Sequence, residues 1–200
     1  MVKQERAART REALVQAAAS AFDRAGYEAT TLARVSKAAG ISIGALTFHF
    51  RTKDELADAV QLRGESVLRQ ATDRAAARGG PPLQSVIALT VRIAGLLEED
   101  ATVRAAARLA RERVGASAAW SALWLPTLDR LLARAEGELR PGTDRKTVLA
   151  LVAYLVTGAE AYARDRAGTP GRAADSTEQQ LTRIWRVVLP GLAGGDRVSP

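Results

Sequence analysis

Two short helical patterns meet at Ala39-Gly40-Ile41-Ser42, and that junction restricts the fold of this chain more than any other feature. Thr31 sits where an N-cap opens a helix over Leu32–Ala39, and Ser42 opens a second that runs to about Phe48. Gly40 supplies the positive φ that lets two short helices meet at a steep angle. Leu32, Val35 and Ala39 face inward from the first, and Ile41, Leu46 and Phe50 close the same small core.

Helical periodicity continues on both sides. Leu14, Ala17, Ala18, Ala21 and Phe22 form one apolar stripe of a helix expected over Thr10–Ala25 and stopped by Gly26. Thr52 and Glu55 make a capping box for a long fourth helix from Lys53 to about Arg78, closed by Gly79-Gly80-Pro81-Pro82. Further helical patterns cover Leu83–Glu99, Thr102–Val114, Ala118–Leu139, Asp144–Arg166 and Thr177–Leu189, with Pro126 expected to kink or split the third of these. No stretch alternates apolar and polar residues as a half-buried strand would, so the expected fold is all-α. The division expected is an N-terminal helix-turn-helix domain over 8–68, a second helical domain over 69–193 and a loose tail over 194–200.

Composition excludes several function classes. With no cysteine there is no disulfide, thiolate metal site or thiol nucleophile. The charged start, Met1 to Arg6, lacks the apolar core of a secretory leader. The longest uncharged run, between Arg113 and Asp129, is broken by Pro126 and falls short of the ~18 apolar residues of a membrane span. The expected address is the cytoplasm, in association with the nucleoid when DNA is bound, with no membrane partner, no metal and no cofactor. Residues through Lys53 hold nine Lys or Arg against four Asp or Glu, whereas the remainder hold twenty against eighteen. The basic excess therefore surrounds the helix pair, as a footprint for phosphate would. A solvated basic terminus is the plainer explanation of the same charges. A helix as short as Ser42–Phe48 fits the major groove, ~12 Å wide, while its companion crosses the backbone.

The stretch from about Thr10 to Val60 resembles the DNA-binding domain of the TetR family. The resemblance is carried by Phe22…Gly26-Tyr27…Thr30-Thr31, by Ala39-Gly40-Ile41-Ser42, by Leu46…His49-Phe50 and by Lys53…Leu56. It implies that Thr31, His49 and Lys53 hold phosphates and that Ser42, Ile43, Gly44, Ala45 and Thr47 lie on the groove-facing helix. Lys3, Arg6, Arg9 and Arg11 then read as an arm touching an adjacent groove or backbone, or as a frayed basic tail. Thr47 stands where the family commonly has tyrosine, and Ile43 where many members have a polar or basic residue, so base preference need not follow the usual one.

One such unit reads few base pairs, so a homodimer on a pseudo-palindromic double-stranded operator is expected. Val148–Val156 and the apolar face Leu181, Ile184, Trp185, Val188 and Leu189 are the candidate dimer surface, with the monomer core as the alternative. Trp120 and Trp124, spaced i, i+4 and continued by Leu128, Leu131 and Leu132, read as core or as one wall of a cavity for a small hydrophobic ligand. Within the family the chain is most similar to the γ-butyrolactone receptor group and its receptor-like repressors of antibiotic production. Gln4–Arg11, Phe22–Tyr27 and Gly44–Phe50 carry that likeness. It implies a pocket role for Trp120, and for Thr157 beside a pocket threonine whose Thr-Gly order is shifted here by one residue. The function expected is a ligand-responsive repressor of secondary-metabolite genes. Two alternatives stand beside it: an architectural DNA binder without a ligand, and a helical enzyme on a lipid-like substrate. No nucleophile elbow, paired-histidine site or glycine-rich phosphate loop supports the enzyme.

Overall fold

The computed structural model describes residues 2–113, 117–167 and 175–194. Among these the chain is helical: α1 (Val2–Ala29), α2 (Leu32–Ala39), α3 (Ile43–His49), α4 (Lys53–Ala77), α5 (Pro82–Glu99), α6 (Ala101–Glu112), α7 (Ser117–Ala122), α8 (Leu125–Arg134), α9 (Arg145–Ala167) and α10 (Thr177–Leu192). The one β feature among the described residues is an isolated bridge between Leu139 and Ala193. The tail expected over 194–200 lies almost wholly outside the described residues.

Two compact units form. The first joins residues up to Val67 with Asp100–Ser121, and the second joins Leu68–Glu99 with residues from Ala122 onward. A division along the sequence near residue 68 therefore leaves α6 on the wrong side. The apolar stripe of α6 shows that one face is covered, but carries no label for the element that covers it.

In the first unit Leu14, Ala18 and Phe22 of α1 pack with Val35, Leu46, Phe50, Leu56, Val60 and Leu109. Polar ties reinforce the α1–α6 contact: Arg104 Nε donates to Asp23 Oδ2 at 2.8 Å, and Arg108 donates to the Asp23 carbonyl at 2.7 Å. α1 begins well before Thr10, because Val2–Arg9 has good helix formers although no apolar stripe announces it. Gly26 also kinks α1 rather than ending it. Its φ of 79° and ψ of 178° lie where side-chain-bearing residues are strongly disfavoured, and the helix resumes beyond it. The buried Thr30 hydroxyl then donates to the Gly26 carbonyl at 2.7 Å.

In the second unit α5, α8, α9 and α10 pack together, and Leu83, Ala135 and Leu139 make a small core with Leu189 and Ala193. α10 opens on a capping box between Ser176 and Gln179. Leu181 and Trp185, expected on a dimer surface, are instead 3% and 2% exposed. They fill this unit, and the exposed large hydrophobic residues of α10 are Ile184 and Val187. The single helix expected over Ala118–Leu139 is split: α7 stops at Ala122, and Pro126 stands in the first turn of α8, where its missing N–H costs nothing. Trp120 and Trp124 consequently do not share one continuous helical face.

Candidate nucleic-acid interface

The helix pair is built by local hydrogen bonds. The Thr31 hydroxyl oxygen accepts from the Arg34 amide at 3.3 Å, and the Ser42 hydroxyl oxygen from the Ala45 amide at 3.2 Å. Between them Gly40 takes φ 65° and ψ 26°, and its amide returns to the Lys37 and Ser36 carbonyls. Ser36 locks the turn from inside, its hydroxyl donating to the Ile41 carbonyl while the Ile41 amide donates to the Ser36 carbonyl. The whole turn is thus satisfied without a distant partner.

α3 has seven residues, and Leu46 is the buried one. Ile43, Gly44, Thr47 and Phe48 are exposed, Ala45 is half-buried and Ser42 is exposed at the cap. Phe48 is 81% exposed and stands edge-on to the His49 ring at 5.3 Å. It belongs to the outward face, and the sequence reading missed it. The signal was available: Leu46 and Phe50 mark the inward side of the turn, and position 48 lies opposite. The Thr47 hydroxyl donates to the Gly44 carbonyl at 3.1 Å and keeps acceptor capacity.

The expected phosphate contacts flank this face. Thr31 is exposed at the α2 cap, and His49 is half-buried at the end of α3. Lys53 is half-buried at the start of α4, its ammonium donating to the Tyr27 carbonyl at 3.1 Å and lying 4.1 Å from the Tyr27 ring centroid. Lys53 is therefore aimed by Tyr27, with further N–H donors left over. Thr52 caps α4, but Glu55 reaches the Arg51 amide at 2.7 Å rather than the cap residue's own. Arg6 and Arg9 are exposed on α1, so they ride a helix rather than an extended arm. Arg11 is committed to packing, 4.9 Å above the Phe50 ring.

Behind the face runs a charged network within the first unit. The Tyr27 phenol donates to Asp54 at 2.7 Å, the Tyr27 amide donates to Glu112 at 2.6 Å, and Arg113 pairs with Asp54 and Asp58 at 3.3 and 2.7 Å. Burial pushes the Glu112 carboxyl up, but the bonds from Arg108 and the Tyr27 amide outweigh it and hold it below the usual range. The Tyr27 phenol is pushed up from its ordinary 10.0 to about 12, first by its hydrogen bond to Asp54, then by burial. Raised pKa values stabilise the folded protein below the ordinary value, so this contribution is lost as pH climbs from 10.0 towards about 12. Asp54→Asn is expected to return one tyrosine's phenolate absorbance titration towards the ordinary range; an unchanged curve would show that Asp54 does not hold the proton.

The expected ligand residues differ in exposure. Trp120 and Trp124 are buried, and the Trp124 indole N–H has no partner among the described residues. Thr157 is exposed on α9 near Tyr154, its hydroxyl donating to the Ala153 carbonyl at 2.9 Å.

Two short capped helices around a left-handed glycine, one presenting an outward face flanked by a lysine and a histidine, define a helix-turn-helix regulatory protein. The model of bacterial regulatory proteins of the tetR family matches residues 14–60. The A-factor receptor protein of Streptomyces griseus is 30% identical over 197 residues, covering 96% of this chain and 67% of that protein. The chain belongs to the TetR family. A solved γ-butyrolactone receptor described as ArpA-like superposes with a TM-score of 0.78 at 27% identity, over 96% of this chain and 92% of that one. CprB from Streptomyces coelicolor, solved in complex with its biological operator sequence, gives 0.72 at 28%, over 96% and 92%. The family makes this a regulator and not an enzyme. Among the described residues no helix is long and apolar enough to cross a membrane.

Proposed function

We propose that this protein is a ligand-responsive repressor whose homodimer binds a pseudo-palindromic operator through α3. The observation that carries the reading is the outward face Ile43, Gly44, Thr47 and Phe48, held by Leu46 and bordered by Thr31, His49 and Lys53. Its likeness to CprB, solved on its operator, supports the same use of the same face. Ile43 and Phe48 offer apolar contact, which suits thymine methyl groups, while Thr47 offers a hydroxyl. The second copy docks through the exposed side of α9 and α10, where Tyr154 and Val187 are 75% and 81% exposed and Gly158 leaves room for close approach. Such a dimer works in the cytoplasm and joins the nucleoid when DNA is bound.

The ligand is a small hydrophobic signal of the γ-butyrolactone kind, and the genes controlled are those of secondary metabolism, antibiotics included. Likeness to the A-factor receptor and to the ArpA-like receptor supports this class. Trp120 and Trp124 are the residues proposed to meet the ligand, Trp124 with an unused indole N–H for a carbonyl or hydroxyl. Thr157, facing outward, belongs to the dimer surface in this reading. Ligand acts by preferring a conformer with the wrong spacing of the two α3 helices, with a coupling of ~1–3 kcal/mol. The test is a gel shift on the DNA upstream of the protein's own coding sequence, with γ-butyrolactones added. Release by ligand, lost in Trp120→Ala while operator binding persists, is the expected result. Operator binding that no butanolide or pathway product alters, with no change in tryptophan fluorescence, would leave an architectural DNA binder.

A further inference from the structure

The second unit contains a cleft of about 460 Å³ between the last turns of α4, α5 and the first turn of α10. That volume falls within the ~300–1,000 Å³ of small-molecule sites. Its walls repeat one pattern twice. Ala71, Arg74 and Ala75 recur at i, i+3 and i+4 on the last turns of α4, with Arg78 just past its end, and Ser85, Ala88, Leu89 and Arg92 recur at i, i+3, i+4 and i+7 on α5. Each helix thus turns one face to the cleft, with small or apolar side chains on the wall and Arg74, Arg78 and Arg92 at the rim.

The charges are not balanced along it. Arg92 is neutralised by Glu99 at 3.2 Å and by Glu178 at 3.7 Å. Glu178 is itself fixed against α5 by the absence of a side chain at Gly95, where a Cβ would come within 1.9 Å of its carboxylate. Arg74 and Arg78 have no acidic partner among the described residues, and both are exposed. Arg74 on the last turn of α4 and Arg78 just past its end line the same cleft, so one carboxylate there can take N–H donors from both forks. Leu89, 1% exposed, forms the apolar floor beyond them.

We propose that this cleft is a second small-molecule site, for an amphipathic carboxylate whose head is held by Arg74 and Arg78 and whose hydrocarbon body lies along Ala75, Ala88 and Leu89. Glu178 repels a second anionic group, so one head and one apolar tail are selected. Nothing in the operator-binding reading requires the site, and failure of one leaves the other standing.

Decanoate is the probe, titrated into the full-length protein by calorimetry, with 1-decanol and inorganic phosphate as comparisons. Saturable binding of decanoate is expected, with 1-decanol and the exposed double variant Arg74→Ala/Arg78→Ala each weaker by about tenfold or more, the loss of charge-assisted hydrogen bonds. Ala88→Trp, which fills the cleft, should abolish binding, and Gly137→Ala, outside it, should leave it unchanged. The proposal is overturned if the double variant binds decanoate like the parent, if 1-decanol binds as well, or if phosphate competes equally. Thermal melts check folding; should Ala88→Trp unfold the chain, the surface arginine pair alone decides.

Discussion

Replacing Gly64 with alanine is expected to destabilise the first unit, although alanine is the better helix former. Gly64 lies in α4 where α6 crosses it, and a Cβ there would sit 2.5 Å from the Thr102 carbonyl oxygen and 2.6 Å from the Ala106 Cβ. Neither neighbour is the free end of a flexible side chain, so α6 must move as a body. Overpacking of this kind costs ~1–3 kcal/mol, against ~0.5–1 kcal/mol gained by removing a glycine from a helix interior. The clash wins. For a chain of this size each kcal/mol moves the midpoint by roughly 2–4 °C, so a fall of several degrees follows. Gly137→Ala, where a Cβ meets nothing within 4 Å, is the control. A midpoint that rises with Gly64→Ala would show that α6 yields freely, and the close crossing would lose its structural meaning. Displacement of α6 would also strain Arg104 and Arg108 on Asp23, so hydrogen exchange in α1 should rise with the same variant.

The largest functional effect is expected from removing the two contacts that border α3. His49→Ala combined with Lys53→Met takes away one imidazole and one ammonium per protomer, while the methionine keeps an apolar stem over the Tyr27 ring. Hydrogen bonds to charged groups are worth ~1.5–3 kcal/mol each, so operator affinity should fall by about two powers of ten or more. The loss should be nearly uniform across operator sequences, and the salt dependence should flatten by about one unit of log–log slope per lysine. Ile43→Ala and Thr47→Ala should instead change which bases are preferred. Gel shifts across a salt series with two operator variants separate these outcomes. Sequence-selective loss in the His49/Lys53 variant, or an unchanged slope, would remove both residues from the backbone-contact set. A matching thermal midpoint excludes simple unfolding, which matters because Lys53 also holds the Tyr27 carbonyl.

How legible these features are in the sequence depends on how local their causes are. The α2–α3 junction can be read directly, because Thr31, Gly40 and Ser42 act on amides and carbonyls within a few residues of themselves. Phe48 could be found by the same periodicity. Gly26 misleads: a glycine after an apolar stripe normally ends a helix, but here Glu112, eighty-five residues away, receives the next amide and the chain resumes its helix. The start of α1 is hidden because Val2–Arg9 has propensity without amphipathicity. Trp120 and Trp124 look like neighbours on one face until Pro126 is recognised as a first-turn proline of a new helix, which places the break ahead of it. Trp185 shows the limit of an apolar stripe, which says that a face is covered but not whether by the same chain or by a copy. The Tyr27–Asp54–Arg113 network leaves no local trace at all, since its members are separated by tens of residues and are ordinary surface types.

α3 divides its labour residue by residue. Leu46 and the two caps hold the helix in place, while Ile43, Gly44, Thr47 and Phe48 contribute nothing buried to the fold. Substitutions at those four positions are therefore nearly free of stability cost, and they are the ones that meet whatever lies outside. A lineage carrying this scaffold can rewrite its target vocabulary by drift at a few surface codons without passing through an unfolded ancestor.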